Sequence, residues 1–181
     1  MTMKAGIAMK KTVVLALVAG SLFQALCAHA QVTERQAEVS RRGADVMPFS
    51  LSATTHVFTK TSDGGTQRVI AKDVTNAQQI ELIRAHLHDI QRQFLQGDFT
   101  GPTHIHGAQM PGLAELKAAK PGQIGIDYRD IDAGAELTYR TTDTQLVSAL
   151  HHWFDAQLSD HGHDAMAGHD HMHINAPAKG D

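Results

Sequence analysis

The sequence predicts an α+β fold: two ββα units forming a mostly antiparallel four-stranded sheet with two helices on one face. Three observations carry this expectation. Thr55, Val57 and Thr59 alternate with His56, Phe58 and Lys60, and after Asp63-Gly64-Gly65, turn residues that tolerate positive φ, the chain runs back through 66–71. Next, Ile80, Ile83, Leu87, Ile90 and Phe94 recur at spacings of three and four, one apolar stripe on a helix. Thr75-Asn76-Ala77-Gln78 precedes that stripe as a capping-box pattern, in which hydroxyl and amide satisfy orphan N–H groups at the helix start. Finally, the plan repeats. A strand over 123–129, a turn at 130–134 and a strand over 135–141 lead into Thr142-Asp143-Thr144-Gln145, and Val147, Leu150 and Phe154 fall where Ile80, Ile83 and Leu87 stand in the first unit. The repetition reads either as an internal duplication or as two hairpin–helix units that share only a plan; the architecture is the same either way.

Residues 1–30 read as an export signal. Lys4, Lys10 and Lys11 form a positive segment, 12–26 is apolar, and Ala28-His29-Ala30 is a small-x-small cleavage site. The apolar run falls short of the roughly 20 residues a membrane span needs. Lipid anchoring through Cys27 would want a small residue where Leu26 stands. Cleavage after Ala30 is therefore expected, leaving a periplasmic or extracellular protein. It removes the single cysteine of the 181-residue chain, so neither a disulfide nor a thiolate ligand remains. It also removes three lysines and no acid, which makes the chain more negative than its formal −3 and argues against a nucleic-acid partner. No later stretch is apolar enough to span a membrane. The expected organisation is a polar lead-in over 31–46, a single α+β domain over 47–159, and a disordered His-rich tail over 160–181.

Thirteen histidines are the chemical feature of this chain. Neutral imidazole suits copper, zinc, nickel and iron. The tail carries His161, His163, His169, His171 and His173 beside Met166 and Met172. A flexible peptide brings such alternate imidazoles onto one cation, and thioethers add affinity for Cu(I). The long connection between the two units holds His104-Ile105-His106; if extended, both rings lie on one side and reach one ion. His56, mid-strand, would complete a three-histidine site with an open position if it faces them. His86, His88, His151 and His152, on helices, rank lower. No G-x-S-x-G, P-loop, HExxH or Rossmann glycine pattern is present. The expected function is an exported protein that binds a transition metal, copper first and zinc second, as buffer, scavenger or carrier. The alternative is a small secreted enzyme or ligand-binding domain with its site near the 98–112 loop and an incidental tail.

Two resemblances bear on this. His104-Ile105-His106-Gly107 through Pro111-Gly112 resembles the HxHG stretch of the CHRD module, an extracellular all-β domain, over about nine residues. The two long helices conflict with an all-β fold, so its function is not carried over. From Met47-Pro48-Phe49 through His104-Ile105-His106-Gly107 to His152-Trp153-Phe154-Asp155, the chain resembles a family of small secreted bacterial proteins of uncertain function, often labelled aspartate carbamoyltransferase. That label implies a Ser-x-Arg-Thr phosphate-binding motif. Thr138-Tyr139-Arg140-Thr141 is the nearest match here, without the serine and on a predicted strand, so carbamoyl transfer is not expected.

Overall fold

The structure, a computed structural model, describes residues 34–169. The expected export signal over 1–30, and His171 and His173, lie outside the described residues. The chain is α+β, with a five-stranded mixed sheet and five α-helices among the described residues. Helix α1 covers 34–46. Strands β1 (Thr54–Thr61) and β2 (Gly64–Ala71) form the first hairpin, followed by helix α2 (Ala77–Leu95). Two short helices, α3 (Thr100–His106) and α4 (Leu113–Ala118), fill the connection. Strands β3 (Gly125–Ile131) and β4 (Gly134–Arg140) form the second hairpin, helix α5 (Thr144–His161) follows, and β5 (Ala165–Ala167) ends the fold. No described helix is long and apolar enough to cross a membrane.

The sheet order is β3-β4-β2-β1-β5. The two hairpins meet at the centre, where β2 and β4 run antiparallel with Gln67 opposite Leu137. The expected four antiparallel strands are there. A fifth, parallel strand from beyond residue 160 lies against β1, with His56 opposite Ala165, which makes the sheet mixed. The two expected helices are joined by three more. The lead-in helix α1 docks because Val39 is fully buried, and its last turn delivers Met47 into the core.

Each long helix lies over the hairpin of the other unit: α2 packs chiefly on β4 and β3, α5 on β2 and β1. Because β2 and β4 are neighbours, a helix leaving one of them finds its apolar cover across the sheet centre. The polar clamps follow the same rule. Arg84 donates to the carbonyls of Ile131 (2.8 Å) and Gly134 (3.2 Å) at the second hairpin's turn. His151 Nε2 sits 3.0 Å from the carbonyls of Thr61 and Gly64 at the first. These two residues directly follow Ile83 and Leu150, which are counterparts in the sequence repeat.

The α2 stripe is buried as spaced, through Ile80, Ile83, Leu87, Ile90 and Phe94. Both caps fall one residue later than the capping-box pattern places them. Asn76 accepts from Gln79 N, and Asp143 accepts from Gln145 N and Leu146 N. The shorter Asx side chains reach these N–H groups directly. On α5 the buried stripe is Leu146, Ala149, Leu150, Trp153, Phe154, Gln157 and Asp160, with Val147 beside it. Trp153 and Phe154 pack against Tyr139, Phe58 and Phe94, so the core is largely aromatic where the two units meet.

Candidate functional site

Four histidines from four elements face one internal cavity of about 50 Å3. Strand alternation turns His56 inward with Thr54 and Phe58, and it is 3 % exposed. His86 comes from the edge of the α2 stripe, His106 is the last residue of α3, and His161 is the last of α5. The His161 ring stacks on His56 with centroids 5.0 Å apart, and meets His106 edge to face at 5.2 Å.

Two of these rings have one nitrogen tied to oxygen. His106 Nδ1 lies 2.8 Å from Asp160 Oδ2. His161 Nε2 lies 3.1 Å from Gln157 Oε1. The His56 ring has no side-chain partner, and its Nδ1 is buried without any hydrogen bond among the described residues. The remaining nitrogens, Nδ1 of His56, Nε2 of His106 and Nδ1 of His161, make no hydrogen bond among the described residues. Hydrogen-bonded imidazoles with the other nitrogen bare are how proteins present histidine to a metal.

Burial disfavours the charged form of His56, His86 and His161. Desolvation, helped by the neighbouring His86, pushes His56 down to about 4. Desolvation and then His56 and His106 hold His161 well below its ordinary value, and His86 is lowered by burial. The anchor beneath His106 is ionic. Asp160 receives Arg35 through Nε (2.9 Å) and Nη2 (2.6 Å), and Arg35 Nη2 also donates to the His106 carbonyl (2.7 Å). Burial alone would raise the Asp160 carboxyl, but the hydrogen bonds from His106 and Arg35 prevail and bring it to about 2.

The histidine pair of the central connection is corrected by this geometry. His104 and His106 are on helix α3, not an extended loop, and a two-residue step on a helix turns the rings about 200° apart. His106 is buried, whereas His104 is exposed and pairs with Asp45 at 3.3 Å. The predicted trio of His56, His104 and His106 therefore keeps two members, and His161 takes the third place. The segment after 160 is not free chain up to residue 167, since Asp160 and His161 close α5 and 165–167 joins the sheet. His163, 3.6 Å from Asp164, is exposed, and so is His169.

Arg35, Asp160 and Gln157 are site residues that the sequence reading did not single out. Gln157 and Asp160 continue the three-and-four spacing of the α5 stripe, and polar residues on a buried stripe are the trace by which they are found. In the present ring orientations, no group of three or more His, Cys, Asp or Glu among the described residues is arranged to hold a metal ion. The stacking explains why: parallel rings aim their in-plane lone pairs alongside one another rather than at one point. Comparison with protein-family models, with curated proteins and with solved structures returns no match to this chain.

Proposed function

We propose that the chain is an exported protein that binds one transition-metal ion, copper first and zinc second, in the internal histidine cavity, as buffer, scavenger or carrier. The observation that carries the reading is the set of three inward imidazoles, His106 and His161 each with one nitrogen held by oxygen and the other bare, and His56 with a buried, unpartnered Nδ1. Their spacing supports it. With metal–nitrogen bonds of about 2.0–2.1 Å and tetrahedral angles, two imidazoles on one ion have centroids roughly 5 Å apart. The separations here are 5.0 and 5.2 Å. Because the stacked rings do not converge on one point, binding needs a rotation of His56 and His161 about χ2. The depressed basicity of His56 and His161 favours capture, since a ligand imidazole must be unprotonated. A surface groove lined by Arg35, His106, His152 and Asp160 offers a route in.

The test is calorimetric titration of metal-stripped protein with Cu(II), Cu(I) and Zn(II), in the full chain and in a chain ending at residue 169. One tight equivalent retained in the shorter chain and lost in His106→Gln and His161→Gln supports the internal site. Binding that disappears with residues 170–181 assigns the metal to the tail and rejects this reading.

A further inference from the structure

We propose that a second cavity, separate from the histidine site, binds a small aromatic carboxylate. This cavity, of about 190 Å3, opens where the end of α2 meets the end of α4 and the start of β3. Phe94, Phe99, Leu116, Ile126 and Trp153 supply its apolar wall, and Lys117 and Lys120 stand at its rim. The size fits one ring with a short substituent, since an engineered apolar cavity of about 150 Å3 holds benzene. Flat aromatic walls favour a flat aromatic guest through offset and edge-to-face packing.

Charge selects the substituent. Of the four described lysines, Lys60 and Lys72 are in ion pairs with Asp155 and Asp164, whereas Lys117 and Lys120 are in none among the described residues. Asp98 feels the charge of Lys117, but its carboxylate is taken up by the backbone N–H and hydroxyl of Thr100. Two free ammonium groups beside an apolar hole call for an anion on an apolar body. A further donor stands in the wall: the indole N–H of Trp153 is buried with no acceptor among the described residues. Trp153 also lines the histidine cavity, so the two sites share a wall while using different ligand chemistry.

Trp153 is the chain's single tryptophan, so its fluorescence reports directly on occupancy. The full chain, with chelator present to silence the histidine cavity, is titrated with phenylacetate and, separately, with the neutral isostere 2-phenylethanol. The expected result is a saturable emission change with phenylacetate, half-complete between about 0.1 and 1 mM, the range a ligand of some ten heavy atoms reaches. The alcohol binds more weakly. Lys117→Ala/Lys120→Ala, two exposed substitutions, weakens phenylacetate by about tenfold and leaves the alcohol unchanged. Ile124→Phe, which narrows the cavity and leaves Trp153 the single emitter, weakens both. The absence of saturation overturns the proposal. So does equal binding of acid and alcohol, or binding of phenylacetate that ignores the two lysines. Each of these outcomes is independent of whether the histidine site takes a metal.

Discussion

Replacing His56 by leucine should make the metal-free protein markedly less sensitive to mild acid. His56 is 3 % exposed, and its pKa is pushed down from 6.5 to about 4 by burial, by the nearby His86 and by His106, with only the Asp164 main chain and carboxylate opposing. The folded state therefore binds fewer protons than the unfolded chain between pH 6.5 and 4. Its stability is complete above the unfolded value and falls as the pH drops through that window. At pH 5 the unfolded imidazole is almost fully protonated, and the folded one carries about a tenth of a proton, a difference of about 2 kcal/mol relative to pH 8. His161 and His86 add losses of the same sign, so the variant keeps part of the slope. Asp160 does not interfere: its lowered pKa stabilises above its ordinary 3.8, and that contribution is lost only as pH falls toward 2. Urea midpoints at pH 8 and pH 5, for wild type and His56→Leu after metal stripping, give the double difference. A value near 2 kcal/mol, the wild type losing more, is expected. Equal losses in the two proteins would mean that His56 is not enclosed as a neutral ring.

Asp160→Asn should lower stability by about 2 kcal/mol, because Arg35 and His106 lose a shared carboxylate, and should weaken metal binding 10- to 100-fold; urea melts and calorimetry read the two effects. Gly112→Ala should lower the melting temperature of the whole domain: Gly112 has φ +78°, and a Cβ there would lie 2.1 Å from the Ala149 carbonyl on α5. A loss of at least about 1–3 kcal/mol follows, and an unchanged melt would refute the close α4–α5 approach. Arg84→Ala and His151→Ala each leave two turn carbonyls without their side-chain donor, so each should cost about 1–2 kcal/mol. Similar losses, with faster amide exchange at the turn of the opposite hairpin, are what the crossed packing requires.

What the sequence shows and what it hides follow from how local each cause is. The α2 stripe is legible because five apolar residues repeat at the helical period, and all five are buried. The four hairpin strands are legible because alternation and turn glycines are local. Strand β5 is not: Ala165-Met166-Ala167 has no alternation and is extended because β1 lies beside it. The helix that separates His104 from His106 was obscured by Gly101-Pro102, which resembles a turn. Here Pro102 sits in the first turn of α3, where a missing N–H is tolerated. Of the site, His56, His106 and His161 were visible as residue types, but their convergence depends on three chain segments meeting. His86 flanks its stripe, so its partial burial was readable, though not its direction toward His56. Arg35 belongs to a segment whose polar composition suggests a free lead-in. Long-range contacts fix it: the pair with Asp160, the bond to the His106 carbonyl and the burial of Val39.

Residues 165–168 also hem the sheet. Along β1, residues 56–58 are bordered by 165–167, and Gly168 N continues the border with a bond to the Phe58 carbonyl at 2.9 Å. The hem lies flat because position 168 lacks a side chain: a Cβ there would stand 2.0 Å from Thr59 Oγ1. Lateral strands with unsatisfied backbone recruit other copies of the same polypeptide. A bulkier residue at 168 would unstitch that border, and self-association, visible as higher-order species in light scattering, would be the first symptom.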